Sequence, residues 1–105
     1  MGIYYIVDEC RQSGNILTIR GWMCSTKYRF KNVHFLIEDK TKSSFLIKGK
    51  YGVTRNDVYQ NLKIDNAKQS GFYAQAIVEN IKEYNVWLVF SCESKKYRLR
   101  LGKSD

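Results

Sequence analysis

Along most of this chain, apolar and polar residues alternate with a period of two, which places every second side chain on one face of a strand. Ile3-Tyr4-Tyr5-Ile6-Val7 reads as a first strand, ending where Asp8 to Gly14 turns polar and Ser13-Gly14-Asn15 signals a turn. Ile16 to Met23 reads as a second, with Leu17, Ile19 and Met23 on one face and Ile16, Thr18, Arg20 and Trp22 on the other. Gly21 inside this strand predicts a bulge that swings Trp22 toward the core. Val33 to Asp39 is a third strand, with Val33, Phe35 and Ile37 inward and His34 and Glu38 outward. Ser44 to Tyr51 is a fourth, on which Phe45 and Ile47 share a face. Gly71 to Val78 is a fifth, with Phe72, Ala74, Ala76 and Val78 aligned. Asn85 to Cys92 is nearly all apolar and reads as a central sixth. Tyr97 to Leu101 is a seventh, with Arg98 and Arg100 outward, as suits an edge strand protected from pairing with another chain.

Seven short strands separated by turn signals predict an all-β fold, an immunoglobulin-like antiparallel β-sandwich of about seven strands over residues 1–101. A small barrel is the second choice. Residues 102–105 read as the start of a linker or tail. One stretch breaks the alternation. Tyr51 to Phe72 is polar and rich in amides, and such a long non-strand connection is functional or holds a helix of its own. Arg55 to Leu62 fits a short helical turn, with Thr54 or Asn56 as N-cap and Val58 and Leu62 pinning it down. The connection is expected to cross between the two sheets, clasped by an Arg55–Asp57 pair.

Composition changes this picture little. The 105 residues make one domain, and eight Tyr among 14% aromatics agree with strands. Net charge is +8, but the lysines are dispersed rather than clustered as a nucleic-acid footprint requires. The three cysteines, Cys10, Cys24 and Cys92, form no CxxC pair and suggest neither a disulfide framework nor a zinc site. With no signal-peptide pattern and no long apolar run, a cytoplasmic setting is expected. His34 is the only histidine, so it alone could serve Cys24, Cys92 or Ser70 as a base, and it is expected on an outward face. Gly102-Lys103-Ser104 mimics the end of a phosphate loop, but Tyr97 stands where its first glycine belongs. No catalytic residue, metal site or cofactor is assigned.

Binding chemistry has more candidates. Basic and aromatic residues interleave at Lys27 to Lys31 and at Lys95 to Arg100, which makes a basic β-domain that binds nucleic acid the alternative reading. Lys95, Lys96, Arg98 and Arg100 are the expected charged surface. Tyr28, Tyr51 and Tyr59 fall in loop-like positions, where flat aromatic faces can lie under sugar rings.

Gly21-Trp22, then Tyr51-Gly52 with Arg55, Asp57 and Val58, then Ser70-Gly71-Phe72 form an ordered set. The set resembles a small β-sandwich domain carried beside the catalytic domains of bacterial surface-polysaccharide glycosyltransferases. The resemblance spans roughly Leu17 to Val78. Met23 stands where that family usually has a small residue, and Asn56 where it tends to have proline. The resemblance implies a non-catalytic accessory role. It carries over Gly21, Trp22, Val58, Gly71 and Phe72 as structural positions, with Arg55 and Asp57 as clasp or binding residues. The expected partners are glycan, the catalytic domain, or the anionic inner face of a membrane. Nothing in the sequence fixes an oligomeric state.

Overall fold

The computed structural model describes residues 2–78 and 83–103. Within them the chain forms β1 (Ile3–Ser13), β2 (Ile16–Ser25), β3 (Lys31–Asp39), β4 (Ser44–Ile47) and β5 (Gly49–Val53). Then follow α1 (Asn56–Leu62), a 3-10 turn (Asp65–Ala67), β6 (Gly71–Ile77), β7 (Tyr84–Cys92) and β8 (Lys95–Lys103). The eight strands make two antiparallel sheets of four, in the orders β1-β2-β6-β5 and β4-β3-β7-β8. The fold is mostly β and consistent with an all-β sandwich. Leu17, Ile19, Phe72 and Ala74 of the first sheet face Phe35, Ile37, Leu88 and Phe90 of the second in one buried core. Each fully buried large side chain there is worth about 1.5–3 kcal/mol of apolar transfer. β7 alternates buried and half-buried residues along its whole length and is flanked by β3 and β8, as its apolar run predicts.

Several expectations change. The predicted fourth strand is two strands on different sheets. Ser44–Ile47 pairs with β3, and after Lys48 the chain crosses over, so Gly49–Val53 pairs with β6. Gly49 marks the corner, because a Cβ there would run into the Phe35 ring and come 2.8 Å from the Ala74 Cβ. The sheet crossing therefore lies at Lys48 and not in the 51–72 connection. That connection leaves and re-enters the same sheet, with Tyr51 paired directly to Phe72. The first strand does not stop at Val7; its polar half to Ser13 pairs with β2 across to Ile16. Gly21 carries no bulge. The register shift is on the partner strand, between Val7 and Glu9, which leaves Asp8 as the extra residue. Gly21 is instead a close approach: a Cβ there would strike the Ile6 carbonyl and meet Phe72 Cζ at 2.6 Å.

β8 runs through Gly102 and Lys103, which pair with Val86 and Asn85, so the strand extends into the stretch expected to begin a tail. Ser104 and Asp105 lie outside the described residues, as does most of the expected connection from Glu79 to Tyr84. β8 is an edge strand, with Tyr97, Leu99 and Leu101 turned in and Arg98 and Arg100 exposed. No helix among the described residues is long and apolar enough to cross a membrane.

Candidate functional site

The connection from β5 to β6 lies on the outer face of the first sheet and makes a second small core there. Trp22 and Cys24 of β2 are buried against Val58 of α1 and Ala67 of the 3-10 turn, with Leu62 and Ile64 packed alongside. Trp22 is thus buried as expected, but beneath the connection rather than between the sheets. α1 starts after Arg55, which is its N-cap without a side-chain cap hydrogen bond, so neither Thr54 nor Asn56 fills that role. Asp57 sits in the first turn, where a carboxylate suits the helix dipole. The helix ends at Lys63, in the left-handed region (φ 55°), whose N–H donates to the Tyr59 carbonyl.

Arg55 holds this cover down. Its Nε and Nη2 donate to the two carboxylate oxygens of Asp57, each at 2.9 Å, and its Nη1 donates to Asp8 Oδ2 at 2.8 Å. The predicted pair is therefore a three-residue clasp, and its third member is the bulged residue of β1. The pair holds the Asp57 carboxyl down to about 2, chiefly because Arg55 donates to its ionised form. The Arg55 stem lies across Gly71, where a Cβ would come within 2.9 Å of its Cγ. The backbone seals the far end: Met23 N–H donates to the Ser70 carbonyl, Arg55 N–H to the Lys68 carbonyl, and Ser70 Oγ to the Ala67 carbonyl. Arg55 and Asp57 are used within the fold.

Where the connection meets the loop after β2 there is a cleft of about 190 Å³. Tyr28, Phe30 and Tyr51 give it aromatic walls, and Arg29, Asp65, Asn66 and Gln69 give it polar groups. Phe30 and Tyr51 lie 6.3 Å apart with tilted rings. Tyr51 is fixed by its hydroxyl, which donates to the Met23 carbonyl at 2.6 Å, and burial pushes its pKa up. Asn66 Nδ2 donates to the Ser25 and Tyr28 carbonyls, which ties the 3-10 turn to the loop. Glu93 raises the Tyr28 pKa, first through its charge. The structure thus brings Tyr28 and Tyr51 together but leaves Tyr59 on α1, where Lys68 Nζ sits 5.7 Å from its ring.

The basic surface also divides. Arg98 stacks on the Trp87 ring at 4.1 Å, and Arg100 lies opposite Trp87. Lys96 reaches another cleft, of about 380 Å³, shared with Arg29 and Lys31. Lys95 is exposed at the start of β8. Sequence patterning overlooked Asp8, Asn66 and Gln69. The two amides lie inside the amide-rich stretch already singled out, whereas Asp8 carries no signal beyond a polar residue after an apolar run.

His34 Nδ1 lies 2.8 Å from the Asn32 carbonyl, within its own strand. Among the described residues, no group of three or more His, Cys, Asp and Glu could hold a metal ion. Comparison of the chain with protein-family models, with curated proteins and with solved structures finds no match in any of the three.

Proposed function

We propose that this domain is a non-catalytic accessory module that binds glycan, of the kind carried beside bacterial surface-polysaccharide glycosyltransferases in the cytoplasm. The observation that carries the proposal is the cleft of Tyr28, Phe30, Tyr51, Arg29, Asn66 and Gln69. Aromatic faces accept the C–H faces of a sugar, while amides and a guanidinium serve its hydroxyls. Catalysis has less support. His34 is turned to a backbone carbonyl, and burial pushes the Cys10 thiol up to about 11 and raises that of Cys24, so neither is a ready thiolate.

The finer fold assignment belongs to the same proposal. Lettering the strands in chain order, with one extra strand after the third, sets an ABED sheet against a CFG sheet, the immunoglobulin arrangement. Arg98 and Arg100, which flank Trp87, are the charged face this module offers to its catalytic domain or to the anionic inner face of a membrane, with Lys95 exposed at the start of the same strand and Lys96 turned to the cleft of Arg29 and Lys31.

The test is titration with oligosaccharides from bacterial surface polysaccharides, followed by calorimetry. Tyr28→Ala and Gln69→Ala are expected to weaken binding about tenfold each; the melting temperature holds in Gln69→Ala, whose side chain is exposed, and falls modestly in Tyr28→Ala, whose ring also packs on the main core. Binding that ignores both substitutions, or no binding to any such oligosaccharide, rejects the cleft. The row of exposed cations on β8 favours nucleic acid as a second reading. That reading requires a steep fall in affinity with salt, and no binding in low salt removes it.

A further inference from the structure

We infer that the glycan taken by this module carries an anionic substituent, a phosphate or a carboxylate, received by a cationic cleft next to the aromatic one. The inference rests on the glycan reading above. Strand register builds the receiving group: Ser91 of β7 pairs with Lys31 of β3 on one side and Lys96 of β8 on the other. Neighbouring strands lie roughly 5 Å apart, so the backbones of the two lysines are about 10 Å apart across one serine, a separation from which two long flexible side chains can converge on one oxyanion. Arg29 joins them from the loop after β2, and Ser91 and Ser94 add hydroxyls. Among the described residues, ion pairs are confined to Arg11, Arg20 and Arg55, so Arg29, Lys31 and Lys96 form none, and their three positive charges outnumber the one carboxylate in the cleft, Glu93. Glu93 lies close enough to Tyr28 for its charge to raise the Tyr28 pKa, and it leaves the cleft with an excess of positive charge. Three cations gathered in a chain of net charge +8 repel one another, and an anion between them relieves that repulsion.

Arg29 lines both clefts, so the aromatic and the cationic cleft adjoin across its side chain. A neutral sugar fills only the first. A uronate or a phosphorylated sugar fills both, and its charge is read by lysines that a neutral sugar leaves idle. Three clustered cations match one charged group better than a long phosphate track, which favours an anionic glycan over nucleic acid.

The experiment compares neutral and anionic oligosaccharides of equal length, together with inorganic phosphate and a ten-nucleotide DNA strand, on the full chain and on a Lys31→Gln/Lys96→Gln variant. The expected result is at least tenfold tighter binding of the anionic oligosaccharide, lost in the variant at an unchanged melting temperature. Inorganic phosphate is expected to shift backbone amide resonances of Lys31 and of Ser91 to Lys96 in the native chain only. Equal affinity for neutral and anionic oligosaccharides overturns the inference and leaves the glycan reading standing. Phosphate binding with no oligosaccharide binding overturns both. DNA binding tighter than the anionic oligosaccharide overturns the inference and assigns the cations to nucleic acid.

Discussion

The two sheets turn different outer faces to their surroundings, and each face carries a tryptophan. On the first sheet, Trp22 is covered by the β5–β6 connection and retains 9% of its accessible surface. On the second, Trp87 is half-buried, with the Arg98 guanidinium over its ring, and Leu46 nearby is 72% exposed. Both residues point away from the main core. What separates them is the connection, which brings Val58, Leu62, Ile64 and Ala67 to one face and nothing to the other. The contrast shows that the connection is first a cover. It turns the exposed side of a sheet into a second buried layer, and the aromatic cleft opens where that cover meets the loop after β2.

Trp22→Ala is expected to break the contrast hardest, at about 3–5 kcal/mol in chemical denaturation, because it empties a buried site. Trp87→Ala is expected to cost only about 1–2 kcal/mol, the loss of partial burial and of a cation–π contact. Its indole N–H is buried without a partner, so its removal also relieves an unsatisfied donor. Equal costs for the two substitutions would mean that the cover adds nothing. Next comes Gly71→Ala, whose new methyl would stand 2.8 Å from the Val53 carbonyl and 2.9 Å from Arg55 Cγ. A loss of about 1–3 kcal/mol is expected, with earlier hydrogen exchange in α1 than in β7.

Arg55→Ala is expected to cost less, about 1–2 kcal/mol, since solvent reaches both carboxylates and screens the pair. Arg55→Lys should not restore the loss, because an ammonium cannot fork onto Asp57 and reach Asp8 together. Full recovery with lysine would reduce the clasp to simple charge attraction. The smallest effect is on pH. The Asp57 pKa, about 2 in the fold, lies below the ordinary carboxylate value of about 3.9. Its contribution is therefore complete above about pH 4 and disappears as pH falls through about 2. The slope of stability against pH in that window should flatten in Arg55→Ala.

Strand periodicity made most of this fold legible, since the inward residues of β2, β3, β6 and β8 follow from alternation alone, while the continuous apolar run of β7 marks it only as central. It failed where alternation is silent about the partner. Ser44 to Tyr51 reads as one strand because both halves suit β structure, and only the bulk of Phe35 behind Gly49 shows where the chain changes sheet. The polar half of β1 hides because an edge strand gains its hydrogen bonds without burying apolar residues. The clasp was half legible: the Arg55 and Asp57 spacing is visible, while Asp8 comes from 47 residues away. Tyr28 and Tyr51 were recognisable as aromatic, but their meeting depends on the Tyr51 hydroxyl reaching Met23 and on Asn66 holding the loop.

The extra residue in β1 also has a meaning for insertions and deletions. Before Asp8 the odd-numbered Ile3 and Val7 pack on the main core; after it the even-numbered Cys10 does, and Gln12 accepts a hydrogen bond from Tyr84. Asp8 therefore resets the count by which β1 alternates. Asp8→Ala would remove one carboxylate and leave the strand in step. Deleting the residue would put one half of β1 out of phase with β2, turning either Ile3 and Val7 or Cys10 and Gln12 to the wrong face.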